Sequence, residues 1–366
     1  MPQSSNPHKK LNLLQVYRGI AAVLVVMVHL NNMSVQILHQ FIFFNLFKGG
    51  WIGVDCFFVL SGFIMVYVHR SAIGKKDQLK AFLVKRAVRI YPIYWIITLT
   101  VWCLSLLIRS FTTYNKALGL RHLIGSLLLI PQKEQPILLV GWTLIYELYF
   151  YFLFSIAIWL KPKHSVPILS TWLFVTILHY WNIVTFPDSF VWLDLVFGDM
   201  NLEFVLGCMA AYIVIKYNNK IGKYRWILFG IANLGFVILF MLLEWKKVGF
   251  FERIPSLGVV AAMLIIAATS IDLKDSPKIP YLLIFLGEAS YSIFLTHYPL
   301  IEAITKILQK ANLGKYYDGF FAPALLAVFA VVFGCIFYSL IEKPLTVFLP
   351  QNIVEKMFHP QAESRS

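Results

Sequence analysis

The chain of 366 residues is short of charge. Asp, Glu, Lys and Arg make up 14% of it, against about 25% in ordinary soluble domains. Hydrophobic residues make up 59%, against about 45–50%. Too few polar residues exist to coat a soluble protein of this size. The shortage excludes disorder, a fibrous repeat and a soluble globular enzyme. Cysteine is scarce as well. Cys56, Cys103, Cys208 and Cys335 lie far apart inside apolar runs, with no CxxC and no Cys/His pair. No disulfide framework and no metal site is expected, and the four read as small buried apolar residues. No internal repeat is visible, so an inverted-repeat transporter gains no support. Linkers and low-complexity runs are missing too. The expected division is a single transmembrane domain over 1–350 and a short cytoplasmic tail over 351–366.

What the chain has is long apolar runs. A spanning helix needs about 20 mostly apolar residues. Ten stretches qualify: 13–31, 51–69, 90–108, 142–160, 166–183, 199–216, 225–243, 256–272, 281–304 and 321–342. The expected fold is an all-α polytopic membrane protein of about ten transmembrane helices. The stretch 122–131 is apolar but too short, and reads as re-entrant or interfacial. The first span carries Arg18 and lacks a small-residue cleavage site, so it reads as an uncleaved helix. Net charge is +14, and the basic residues sit mostly between the apolar runs. There they fix orientation rather than bind nucleic acid. Arg70, Lys75, Lys76, Lys80, Lys85, Arg86 and Arg89 crowd the loop 70–89, and Lys216, Lys220, Lys223 and Arg225 the loop 216–225. The opposite loops are sparse, with Lys48 alone in 32–50 and no Lys or Arg in 184–198. Both termini are therefore expected in the cytoplasm.

Charges inside apolar runs are the informative residues. Each costs about 2.5–3.5 kcal/mol or more at mid-bilayer, so it should face the bundle interior. They are Arg18, His29, Asp55, Glu147, Glu203, Glu288, His297 and Glu342. Arg18 and His29 are eleven residues apart, about 16 Å along a helix and close to three full turns. One face thus carries a cation at one end and an imidazole toward the other. Arg86 and Arg89 are spaced i, i+3 in Lys85-Arg86-Ala87-Val88-Arg89-Ile90-Tyr91-Pro92. Two guanidinia on one face suit a phosphate-rich ligand. The same spacing also serves plain positive-inside anchoring. Glu147, in Trp142-Thr143-Leu144-Ile145-Tyr146-Glu147, sits near the outer end of its span. A carboxylate there can orient a histidine or take a hydroxyl proton, or simply partner a neighbouring helix. His297 also lies toward the outer end, where a lone histidine is often structural. Arg18, Arg86 and Arg89 thus fall inward, and His29, Glu147 and His297 outward. That polarity suits an anionic donor from the cytoplasm and a neutral acceptor outside.

Several segments form a known pattern. They are Tyr17-Arg18-Gly19-Ile20-Ala21-Ala22 through His29, and Gly53-Val54-Asp55-Cys56-Phe57-Phe58-Val59-Leu60-Ser61-Gly62-Phe63-Ile64. The Arg86-x-x-Arg89 pair, Trp142-Thr143-Leu144 with Glu147, Leu286-Gly287-Glu288-Ala289-Ser290-Tyr291-Ser292 with His297, and Ile341-Glu342-Lys343-Pro344 complete it. The chain resembles the acyltransferase-3 family of bacterial membrane O-acyltransferases, and within it the exopolysaccharide-acetylating branch. The resemblance implies a multi-pass protein of the bacterial inner membrane. It implies transfer of an acyl group, usually acetyl, from acetyl-CoA to a carbohydrate hydroxyl. It associates Arg18, Arg86 and Arg89 with the donor, His29 with catalysis, and Glu147 with the family's acid. Thr143 replaces the usual Ser, and Leu148 stands where a second acid is common.

Histidine, with an ordinary pKa of about 6.5, suits the task of taking a proton from a sugar hydroxyl. The expected scheme is direct transfer with His29 as base, Glu147 or Asp55 orienting it, and His297 in the same catalytic group. Trp142, Tyr291 and Glu342 are expected to be structural or gating residues. A thioester is already activated, so no metal, ATP or permanently bound cofactor is expected, and acetyl-CoA is a substrate. The expected partners are acyl-CoA, a glycan or lipid-linked sugar acceptor, the lipid bilayer, and polysaccharide synthesis or export machinery. Intramembrane charges fit a transporter of acyl groups or glycans equally well.

Overall fold

The computed structural model describes residues 10–40, 42–43, 46–107, 119–187, 189–245, 250–317 and 319–348. The tail 351–366 and residue 108, the last of the candidate 90–108, lie outside them. The described chain is helical without a strand. In order the helices are α1 (Asn12–Met33), α2 (Ile52–His69), α3 (Leu79–Leu107), α4 (Leu120–Leu127), α5 (Gly141–Trp159), α6 (Pro162–Tyr180) and α7 (Val191–Phe197). They continue as α8 (Met200–Ile221), α9 (Arg225–Glu244), α10 (Phe250–Lys274), α11 (Tyr281–Glu288), α12 (Ser290–Lys310) and α13 (Phe321–Phe337).

Among the described residues ten helices are 17 residues or longer. Eight segments are both long and apolar enough to cross a membrane. The other two long helices, α6 and α12, hold the candidates 166–183 and 281–304. The second candidate is not one helix, since the chain breaks between α11 and α12 at Ala289. Ser290, Ser292, Thr296, His297, Glu302 and Thr305 of α12 are all buried. Its polarity is turned inward, which lowers its mean hydropathy without exposing it to lipid. In α9 the pattern is the reverse. Among its residues only Ala232 and Glu244 are buried, and Ile227, Ile231, Leu234 and Val237 stand exposed. Apolar outside and polar inside is the arrangement a lipid solvent requires.

Polar groups close the two ends of the bundle. At the end rich in basic loops, both carboxylate oxygens of buried Asp272 accept from the backbone N–H of Leu13, at 2.9 and 3.1 Å. An anion there meets the free amides and positive dipole of the α1 N-terminus. Arg225 at the start of α9 pairs with Asp275 just after α10, at 2.6 Å, and holds that carboxyl below its usual range. At the opposite end Glu244 accepts from the backbone N–H of Gly49, at 2.7 Å. This end is called the histidine end below. The stretch 122–131 resolves into α4 and a following turn. α4 packs on α3: Tyr94 Oη donates to the Ser126 carbonyl at 2.9 Å, and Trp95 Nε1 to that of Leu127 at 2.8 Å.

Gly19, Gly62 and Gly287 of the motif segments, with Gly207, are points of helix crossing. A Cβ on Gly62 would meet the Phe204 backbone, and one on Gly207 the Val59 carbonyl. α2 and α8 therefore touch backbone to backbone, the small-residue packing that membrane helices favour. Gly19 and Gly287 play the same part between α1 and α11. Gly207→Ala is expected to destabilise the protein by about 1–3 kcal/mol, the usual cost of overpacking. Thermal unfolding in detergent checks this; an unchanged midpoint would mean that the crossing is loose.

Candidate active site

α1 is the axis of the site. Its apolar face, with Ala22, Val25, Val26 and Leu30 fully buried, fixes it in the bundle. That burial also fixes the face that carries Arg18 and His29. His29 is 5% exposed. Its Nδ1 lies 2.9 Å from the Val25 carbonyl oxygen and 3.2 Å from Nε2 of His297. His297 Nδ1 lies 3.0 Å from the Ile293 carbonyl oxygen. A carbonyl only accepts, so each Nδ1 is assigned the hydrogen from its partner. The His29 Nδ1–H then also points at the His297 Nε2 lone pair, and Nε2 of His29 is its basic nitrogen. The rings of Trp51 and Tyr298 stand edge-on to His29, at 5.0 and 5.2 Å between centroids. His29 thus meets three rings and a carbonyl, which hold one orientation of the imidazole.

His29 lines an open-mouthed cavity at the histidine end. Trp51, Trp142, Tyr146, Glu134 and Asp194 line it too. A second cavity carries Arg18, Arg86 and Arg89 together with Glu147, Tyr151 and Tyr291. The rings of Phe58, Trp142 and Tyr146 pack within 6.1–6.2 Å of one another. Phe58 faces the arginine cavity, and the other two face the histidine cavity. These three rings are a wall between the two spaces.

In the arginine cavity, the Arg86 guanidinium lies over the rings of Phe82 and Tyr151, at 5.6 and 5.4 Å. It also contacts His69 Nε2. Such stacking suits arginine and not lysine. Arg18 is within electrostatic reach of Arg89, Glu342 and Glu147. Tyr291 Oη donates to the Ile90 carbonyl at 2.9 Å, tying α12 to the interior of α3. Ser292 Oγ donates to Glu342 at 2.5 Å, where the chain beyond α13 widens into a π turn over Tyr338–Glu342.

Of the residues expected outward, His29 and His297 meet, although 268 positions apart. Glu147 does not join them. It lines the arginine cavity, bonded to Tyr151 Oη and at 3.4 Å from Ser61 Oγ. The reason is helical phase. Thr143, Glu147 and Tyr151 follow at i, i+4, i+8 on one face of α5, while Trp142, Ile145 and Tyr146 face the other cavity. Glu147 is also six residues, about 9 Å, inside the start of α5. Asp55 is fully buried in the first turn of α2 and lines neither of these two cavities. Trp142, Tyr291 and Glu342 sit at the wall, the Ile90 contact inside α3 and the Ser292 contact respectively.

Sequence reasoning passed over Tyr151, His69, Trp51 and Asp194. Tyr151 was legible as the i+4 neighbour of Glu147. Asp194 lies in α7, within a stretch read only for its lack of Lys and Arg.

The family model described as an acyltransferase domain matches residues 12–341. The chain is 30% identical to the exopolysaccharide production protein ExoZ of Rhizobium meliloti, over 82% of this chain and 90% of that protein. It is 25% identical to ORF330 of Acidianus two-tailed virus, provisionally named an acetyltransferase, over 78% of this chain and 82% of that protein. It is 22% identical to SACOL0978 of Staphylococcus aureus, provisionally named an O-acetyltransferase, over 92% of this chain and 58% of that longer protein. No solved structure matches.

Proposed function

Because the chain belongs to the acyltransferase-3 family of membrane acyltransferases, we propose that it moves an acetyl group from acetyl-CoA to a sugar hydroxyl of an exported polysaccharide. The acceptor class follows from the relative named for exopolysaccharide production. The observation that carries the reading is on one helix. α1 presents Arg18 to a cavity with two further arginines and His29 to a cavity beyond an aromatic wall. Eleven residues separate them, about 16 Å.

The donor enters at the arginine end. Arg18, Arg86 and Arg89 hold its phosphates through bidentate hydrogen bonds. Its thioester arm has to pass the Phe58, Trp142 and Tyr146 rings to reach His29. A sugar hydroxyl enters the histidine cavity. His29 Nε2 takes the hydroxyl proton as the oxygen attacks the thioester carbonyl. The new C–O bond forms and the C–S bond breaks. The imidazolium returns its proton to the departing thiolate. His297 positions His29 by accepting from Nδ1–H, which stabilises the imidazolium while it exists. On this reading the arginine end faces the cytoplasm and the bundle sits in a bacterial inner membrane, an orientation that the positive-inside rule supports.

The test is purified protein in proteoliposomes with radiolabelled acetyl-CoA and cell-surface glycan. Label on the glycan is the expected result. Label that crosses the membrane without joining the glycan would mean transport instead. Glu147, on the donor side, is expected to act through Tyr151 and Arg86. Glu147→Gln should raise the KM for acetyl-CoA about threefold or more, the scale of one hydrogen bond, and leave the pH profile in place. A shifted pH profile would return Glu147 to the histidines.

A further inference from the structure

The histidine cavity has a composition of its own. Its walls carry two indole rings, Trp51 and Trp142, two amides, Gln132 and Gln135, and two carboxylates, Glu134 and Asp194. No Lys or Arg lines it. The arginine cavity is the opposite, with three guanidinia against one carboxylate.

These walls are anchored. The segment after α4 is pinned where the Ser126 hydroxyl accepts from the Ile137 N–H at 3.1 Å, and by His122 Nε2, 3.0 Å from the Gln135 carbonyl oxygen. α7 is pinned at its C-terminus. Trp172 Nε1 donates to the Val196 carbonyl at 2.7 Å, and Asn201 Nδ2 to that of Leu195 at 2.9 Å. Groups held in this way keep their geometry before a ligand arrives.

A pyranose ring has an apolar face of C–H groups and a rim of hydroxyls. An indole covers the first, and amides and carboxylates bond the second. A sugar carboxylate in the same space would meet two like charges, with no Lys or Arg on the wall to offset them. Resting on the acyl-transfer reading above, we infer that this cavity is the acceptor subsite and that it takes an uncharged pyranose unit. Trp51 and Trp142 hold the ring face, and Glu134 and Asp194 reject units bearing a carboxylate. The opposite signs of the two cavities also keep the donor's phosphates out of the acceptor's place.

The experiment uses two acceptors that differ at one carbon, methyl β-D-glucopyranoside and methyl β-D-glucuronoside. With the full chain in detergent and radiolabelled acetyl-CoA, kcat/KM is expected to be at least tenfold higher for the glucoside. The double variant Glu134→Gln with Asp194→Asn should narrow that ratio to within about threefold by improving the glucuronoside. Trp142→Ala should raise the KM for the glucoside and leave that for acetyl-CoA unchanged. Trp142→Phe serves where the alanine variant fails to accumulate. Binding is read apart from chemistry by quenching of tryptophan fluorescence in the His29→Ala protein. Quenching by the glucoside in preference, without transfer in the wild type, would sink the transferase reading and keep the acceptor subsite. His29-dependent transfer to native glycan, with a ratio that the double variant does not move, would overturn the subsite and keep the transferase. Equal quenching by both sugars, or by neither, overturns the subsite as well.

Discussion

His29→Ala is expected to cut acetyl transfer by about 10²–10⁴-fold, the usual contribution of a general base, while the protein still accumulates in the membrane. The side chain is buried among Trp51, Tyr298 and His297, yet it lines a cavity rather than filling the core. Alanine there enlarges a space that already exists, so little packing is lost. What is lost is the one nitrogen left basic by the Val25 and His297 contacts. Membrane abundance by immunoblot and glycan acetylation by mass spectrometry separate the two effects. Near-normal acetylation in a well-expressed variant would remove His29 from the mechanism. Abundance falling in step with acetylation would make it a structural residue.

Arg86→Lys and Arg89→Lys are each expected to raise the KM for acetyl-CoA by about tenfold or more, about 1.4 kcal/mol. That is the scale of one charged hydrogen bond. Lysine keeps the charge but loses the fork that grips two phosphate oxygens. Arg86 loses more, since its guanidinium lies over Phe82 and Tyr151. That planar seat has no use for an ammonium group. The KM for the acceptor should hold, because Phe58, Trp142 and Tyr146 wall off its cavity. Steady-state kinetics on both substrates decide the matter. Unchanged acetyl-CoA dependence with lower protein levels would leave the pair as a positive-inside anchor.

The sites became legible in the sequence wherever one helix held both partners. Arg18 and His29 share α1, so their spacing alone placed them on one face at two depths. Arg86 and Arg89 share α3 and do line one cavity. Glu147 was misplaced because its distance from the span end was weighed and its helical phase was not. The His29–His297 contact joins α1 to α12 and depends on how those helices pack, which no local pattern encodes. The break at Ala289 falls in Gly287-Glu288-Ala289-Ser290, a polar stretch too short to divide the apolar span around it by composition. The wall of the histidine cavity comes from the segment after α4 and from α7. Both are too short for a clear period, so Gln132, Glu134, Gln135 and Asp194 carried no signal as a group. The motif glycines were recognisable, but their use as the α2–α8 and α1–α11 crossings needed the fold.

The central claim is that one helix joins a donor cavity at one end to an acceptor cavity at the other. Sided proteoliposomes test it most directly. Protein is reconstituted and sorted by protease access to the segment 70–78 before α3, with radiolabelled acetyl-CoA supplied only on the face that bears that segment. Glycan acceptor is supplied only on the other face. Label is expected on the acceptor across the bilayer, and reversing the two substrates should abolish it. Transfer only when donor and acceptor share a face would contradict the two-ended site.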